Sequence, residues 1–165
     1  MYESMPLGDD HVLDTFDCGR PELNLWLRDS ARHTTRDNTA RTFVWCGHDG
    51  ANVLAYFSLA GHIVEKEELP SSRMRRGSPD QSPAVLLARL ALDKTLQGRN
   101  LGGVLLADAL EHIAQAVRLV AARFVLVDAI DEGAATYYER YGFKRIAGDT
   151  RLFRKVSDIV ADLGG

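Results

Sequence analysis

The stretch "AVLLARLALDKTLQGRNLGGVLLADAL" (84–110) changes its hydrophobic period partway along. Ala84 to Asp93 is nearly continuously apolar over strand length, the pattern of a strand buried on both faces. Leu101, Val104, Leu105 and Ala109, continued by Ile113, Ala116 and Val120, step by three or four. That spacing predicts a helix with one apolar face across "LGGVLLADALEHIAQAVRLVAA". Between the two lies a polar turn holding Gln97, Gly98, Arg99 and Asn100, and the helix opens on Gly102 and Gly103. N–H groups in the first turn of a helix have no intrahelical acceptor, and the helix dipole adds partial positive charge there. Bare backbone at such a point makes an anion site, most often for phosphate. The other reading is that Gly98 shapes the turn while Gly102 and Gly103 ease helix–sheet packing, and the turn alone does not decide between them. GxxxxGK[ST] is absent and GxGxxG does not fit, so nucleotide hydrolysis and dinucleotide binding both lose ground.

Downstream, "RFVLVDAI" (123–130) reads as another buried strand. Strand–helix–strand at this length is a crossover unit, so the two strands should be parallel. "DEGAATYYERY" (131–141) is a short helix with Asp131 as N-cap, Glu132 in the first turn and Gly142 as its stop. Short strands around "FKRI" and "RLFRKV" would close the sheet. Upstream, a helix opens at Pro21 and repeats Leu23, Trp26, Leu27 and Ala31. Thr42–Cys46 and Val53–Val64 form a hairpin across the turn "GHDG". Residues 65–83, with three prolines, four serines and three arginines, keep no apolar period and read as an exposed loop.

The 165 residues suffice for one domain, 1–165, with a core of its own. A net charge of -3 supplies no global positive field for nucleic acid, so local clusters must carry any such role. Cys18 and Cys46 make no disulfide framework, which fits a reducing cytoplasm. No signal peptide is expected at the N-terminus, and the least polar stretch, 53–64, is too short to span a membrane. His11, His33, His48, His62 and His112 are scattered without a ligand cluster, so no metal is expected.

The order buried strand, "QGRNLGG", helix, "FVLVDAI" and "ATYYERYGF" resembles the GNAT N-acetyltransferases, whose acetyl-CoA pyrophosphate loop reads [Q/R]xxGx[G/A]. Gln97 fills its first position and Gly102 its last; Asn100 stands where the family usually has glycine, and Asn is the next residue most tolerant of left-handed backbone. "TFDCGRPELNLWLRDSA", "ARTFVWC", "AYFSLAG", "SRMRRGSPDQSPAVLLARLALD" and "VDAIDEGAATYYERYGF" further resemble the GNAT toxins of bacterial type II toxin–antitoxin modules, across about residues 10 to 155. The resemblance implies an α/β (α+β) GNAT fold: a mixed central sheet of six to seven strands flanked by helices, with a parallel strand–helix–strand core that binds acetyl-CoA. It implies acetyl transfer to the α-amino group of aminoacyl-tRNA, which blocks translation, and silencing by a ribbon–helix–helix antitoxin. It further implies a homodimer, and contact with DNA only through that antitoxin.

In the same terms, the backbone of Leu90, Ala91 and Leu92 should lie along the pantetheine arm. Gln97, Gly98, Arg99, Asn100, Leu101, Gly102 and Gly103 should hold the pyrophosphate, and Ala134 should also touch the cofactor. The match to "FYxxxGF" picks Tyr138 to protonate the departing CoA thiolate, with Tyr137 and Tyr141 as neighbours of which at least one should only pack. No single base stands out among Glu65, Glu67, Glu68, Asp93 and Asp128. This favours an α-amine near pKa 7.7–8.0 over a lysine amine near 10.4. Arg73, Arg75, Arg76 and Arg32 are candidates for gripping substrate phosphates, within wider clusters at Arg28, Arg36 and Arg41 and at Lys144, Arg145, Arg151, Arg154 and Lys155. Those arginines would equally suit an acidic antitoxin segment. The competing readings are a GNAT enzyme for a small amine or protein N-terminus, a weakly catalytic CoA-binding partner in a DNA-bound antitoxin repressor complex, and an unrelated phosphate-binding α/β fold.

Overall fold

The computed structural model describes residues 2–164. In chain order the elements are β1 (Met5–Pro6), α1 (Pro21–Asp29), α2 (Ala31–Arg36), β2 (Arg41–Cys46), β3 (Val53–Glu65), α3 (Ser72–Arg75), β4 (Gln81–Leu92), α4 (Leu101–Ala116), β5 (Phe124–Asp128), α5 (Glu132–Glu139), β6 (Arg151–Lys155) and α6 (Val156–Gly164), with 3-10 turns at Lys66–Glu68 and Lys94–Leu96. The strands form one mixed sheet in the order β1-β2-β3-β4-β5-β6. β4 and β5 are parallel, as the crossover unit requires, and β1–β2, β2–β3 and β5–β6 are antiparallel. Two compact units make up the chain: Met1–Ala60 with Ala88–Ala109, and Gly61–Leu87 with Leu110–Gly165. The chain passes between them inside β3, β4 and α4, so no linker marks a boundary.

In the first unit, Pro21 sits at the tolerated first position of α1, and the helical run breaks at Ser30 before resuming as α2. Leu27 and Ala31, four residues apart, are fully buried with Leu13, Phe16, Val44, Val53, Tyr56 and Ala91. A buried leucine of this kind stabilises by about 1.5–3 kcal/mol. The β2–β3 hairpin pairs Arg41 with Leu59 through Cys46 with Val53, with a bulge between Trp45 and Cys46. The Trp45 indole N–H donates to Asp108 Oδ2 at 2.8 Å.

In the second unit, Val64, Leu69, Met74, Ala84, Phe124, Leu126 and Phe153 form the core. Residues 65–83 are therefore not the exposed loop the composition suggested. Leu69 and Met74 are buried anchors, Ser71 caps α3 by accepting from the Met74 N–H, and the buried Ser78 hydroxyl donates to the Met74 carbonyl at 2.7 Å. Two apolar residues among many polar ones are too few to show as a period. β4 also departs from expectation. Of its apolar residues from Ala84 to Leu92, only Ala84, Leu87 and Ala91 are buried, and Val85, Leu86, Ala88, Leu90 and Leu92 stay partly accessible. Continuous apolar sequence records that both faces tolerate burial, not that this chain covers both.

α4 ends at Ala116, and a turn follows in which Leu119 and Val120 are 89% and 77% exposed. Val104 is also exposed, so the apolar face is carried by Leu105, Leu106, Ala109, Leu110 and Ile113. The segment "FKRI" contributes a single bridge, Lys144 to Phe153, rather than a strand. β6 pairs with β5 from Phe124–Lys155 to Asp128–Arg151, where Arg151 also holds the Asp128 carboxylate at 2.7 and 2.8 Å.

Candidate active site

The exit of β4 is built before the glycine turn begins. Asp93 is buried, and its carboxylate accepts from the Asp17 N–H at 3.0 Å, the Thr95 N–H at 3.0 Å and the Thr95 hydroxyl at 2.8 Å. It is a cap, not a base. The Gln97 amide donates to the carbonyls of Cys18 at 2.9 Å and Leu92 at 2.8 Å. Gln97 thus straps the turn to the strand with its side chain, and any contact it makes to a ligand falls to its remaining oxygen and its backbone. Gly98 and Asn100 adopt φ of +78° and +58°, the left-handed region that Gly and then Asn enter most readily. Among the described residues, the Arg99 side chain has no hydrogen-bond or ion-pair partner, and the first turn of α4 holds no acidic residue.

The parallel β4–β5 ladder takes in Ala84 to Leu87, while β4 runs on to Leu92. Ala91 points into the core of its own unit; Leu90 and Leu92 stay partly accessible.

In the other unit, Asp131 caps α5, its Oδ1 accepting from the Ala134 N–H at 2.8 Å. Tyr138 lies near the helix end, 8% exposed, its ring edge-on to Phe143 at 5.8 Å and to Tyr137 at 5.5 Å. Burial pushes its phenol well above the usual tyrosine range. The turn after the helix depends on Gly142 at φ +89°, where a Cβ would also meet Arg154 Nε at 3.1 Å. Tyr137 packs against both Tyr138 and Tyr141.

The carboxylates proposed as bases are mostly engaged. Glu65 accepts from Gln81 at 2.8 Å, Asp128 holds Arg151, and Glu67 is exposed. Glu68 keeps one buried oxygen with no hydrogen-bond partner.

The arginines divide sharply. Arg32 donates to the carbonyls of Gly8, Asp9 and His11, and Arg75 to that of Leu69, so both serve the backbone rather than a substrate. Arg73 pairs with Asp158 at 3.3 Å. Of the four candidates only the Arg76 side chain has no recorded partner among the described residues. Arg145 is held by Glu132 and Glu139, and Arg154 by Asp162.

One arginine escaped the sequence reading. Arg89 is the single charge within the apolar run of β4, and that interruption was the available signal. Its guanidinium lies 4.1 Å from the centre of the Trp26 ring, and Trp26 stacks on Tyr56 at 6.0 Å and 12°. Among the described residues no carboxylate pairs with it. Burial draws its pKa down, opposed by the Tyr56 phenol, yet an arginine remains charged.

Among the described residues, no group of His, Cys, Asp and Glu is placed to hold a metal, and no helix is long and apolar enough to cross a membrane.

Residues 65–159 match the acetyltransferase (GNAT) domain family. The chain is 36% identical over 138 residues to a protein of Mycobacterium tuberculosis (strain ATCC 25618 / H37Rv) named tRNA-acetylating toxin, covering 84% of this chain and 81% of that one. It superposes on AtaT complexed with acetyl-methionyl-tRNAfMet with TM-score 0.89 and 31% identity, over 99% of each chain. It superposes with TM-score 0.84 and 29% identity, again over 99% of each, on a tyrosine-to-phenylalanine mutant of AtaT bound to acetyl-CoA and the C-terminus of the antitoxin AtaR. The family match takes in more than half of the residues, and the tRNA-acetylating toxin is 36% identical over 84% of the chain: the chain belongs to the GNAT acetyltransferase family.

Proposed function

We propose that this chain transfers acetyl from acetyl-CoA to the α-amino group of an aminoacyl-tRNA, acting in the cytoplasm as a homodimeric, translation-blocking toxin held silent by a ribbon–helix–helix antitoxin. The observation that carries the acceptor is the end-to-end likeness to AtaT in complex with acetyl-methionyl-tRNAfMet. Support for the carrier comes from the α4 start, with its left-handed Asn100, its Gly102 and Gly103, and a first turn free of acidic residues.

On this reading the N–H groups of Gly98 to Gly103 receive the diphosphate of acetyl-CoA, with Arg99 adding charge. Beyond the parallel ladder, the backbone of Leu90, Ala91 and Leu92 offers ladder-like hydrogen bonds to the pantetheine amides, and Ala134 contributes a further contact. The acceptor amine attacks the thioester carbonyl, a C–N bond forms, the C–S bond breaks, and the amine's surplus proton leaves to water. Tyr138 gives its proton to the departing thiolate and is reprotonated from solvent. A phenol raised by burial stays protonated, so it enters every cycle as an acid. An α-amine near pKa 7.7–8.0 is partly neutral without a dedicated base. That matches a site whose nearby carboxylates are largely engaged as caps and ion-pair partners.

The test is transfer of radiolabelled acetyl from acetyl-CoA to a mixture of charged tRNAs, with uncharged tRNA, polyamines and N-terminal peptides in parallel. Label only on charged tRNA supports the reading; label on an amine or peptide with none on charged tRNA replaces it with the small-amine or N-terminal enzyme.

A further inference from the structure

Most arginines of this chain are accounted for. They donate to backbone carbonyls, as Arg32 and Arg75 do, they sit in ion pairs, as Arg73, Arg145, Arg151 and Arg154 do, or they stand in solvent, as Arg99 does. Arg89 fits none of these groups. It is partly buried on β4, its guanidinium carbon lies over the Trp26 ring, and no carboxylate among the described residues compensates it. Taking a guanidinium out of water costs free energy that a stacking contact only partly returns. The Trp26 ring lies against the group, none of its N–H donors is engaged by another described residue, and a planar fork of such donors recognises an oxyanion in bidentate fashion. A cation fixed by an aromatic face, with its donors unspent, is organised for an anion that is not part of this chain.

Position narrows the anion. Arg89 is the immediate neighbour of Leu90, about 3.8 Å away along the backbone, and Leu90 begins the segment assigned above to the pantetheine arm. An anion on Arg89 therefore lies near the acetyl group, on the acceptor's side of the reaction. At the aminoacylated end of a tRNA, the anion nearest the amine is the phosphodiester on the 5′ side of the terminal adenosine. We infer that Arg89, braced by Trp26, is the subsite for that terminal phosphodiester and positions the acceptor amine. The inference rests on the acceptor proposed above, and it deepens that proposal by assigning recognition to one linkage and one side chain.

The experiment compares two trinucleotides with the acetyl-CoA-bound protein: cytidylyl-cytidylyl-adenosine, and the same molecule with a neutral methylphosphonate at its last linkage. Binding is measured by titration calorimetry at fixed salt. The wild type should prefer the charged linkage by about tenfold, as loss of one bidentate charge-assisted contact implies. R89Q should bind the two alike. R89K, which keeps the charge without the fork, should retain a preference of about threefold, and it serves if R89Q does not fold. A wild type that binds neither trinucleotide, or is indifferent to the methylphosphonate, overturns the assignment, as does an R89Q protein that still discriminates. If the wild type discriminates yet acetylates no charged tRNA, the subsite stands and the proposed reaction fails.

Discussion

Two helices of this chain begin in opposite ways. α5 starts under the carboxylate of Asp131, which accepts the Ala134 N–H at 2.8 Å and places negative charge on the helix dipole. α4 starts from a left-handed Asn100 and two glycines, with no acidic residue in its first turn. The backbone problem is the same in both: N–H groups with no helical acceptor. α5 solves it internally and is thereby closed to anions, since a second negative group would meet Asp131. On the reading proposed above, α4 leaves it for a ligand to solve, and α5 carries Tyr138 near its far end as the proton donor.

The sharpest break of this contrast is Tyr138→Phe. It should lower kcat for acetyl transfer by about 10²–10⁴, the usual share of a positioned acid, and leave the KM for acetyl-CoA within twofold. Steady-state kinetics separate the two, and a loss confined to KM would mean that α5 serves binding instead. Next comes Gly102→Asp, which gives α4 a carboxylate of its own. Like charges brought together cost several kcal/mol, so acetyl-CoA affinity should fall about 100-fold while the fold is retained. Unchanged affinity by calorimetry would remove the diphosphate from this helix start.

Smaller effects test the frame. Asn100→Val forces a β-branched residue to φ +58° and should cost about 1–2 kcal/mol of stability in thermal unfolding, whereas Asn100→Gly should cost nothing. Asp131→Ala removes the α5 cap and should cost about 1 kcal/mol without altering the KM for acetyl-CoA. Smallest is the pH profile. Because burial raises the Tyr138 phenol, its proton is still present above the ordinary tyrosine pKa of about 10. kcat/KM should rise as the acceptor amine deprotonates near 8 and then hold level to about pH 10, where an unperturbed tyrosine acid would already be failing.

The sequence was legible where short-range rules act. The β2–β3 hairpin, the parallel β4–β5 pair, the Asp131 cap and the stop at Gly142 each follow from local chemistry, and the structure has all four. The left-handed Asn100 was likewise readable, because few other residues suit that backbone. What stayed hidden depends on distant partners. Leu69 and Met74 anchor residues 65–83 through contacts that no local period encodes. The apolar run of β4 could not say which of its faces this chain would cover. Arg32 and Arg75 looked like phosphate-binding charge until their bonds to backbone carbonyls appeared. Arg89 drew no role from the sequence, because Trp26, which lies against it, stands 63 positions earlier.

The most direct test of the account is mass spectrometry of the aminoacyl-adenosine released by nuclease from charged tRNA, after incubation with acetyl-CoA and the protein. The account predicts the mass of one added acetyl group on the amino acid with the wild type, and almost none at the same time point with Tyr138→Phe. Acetyl-CoA consumed with every aminoacyl-adenosine unmodified, or equal modification by both proteins, would contradict it.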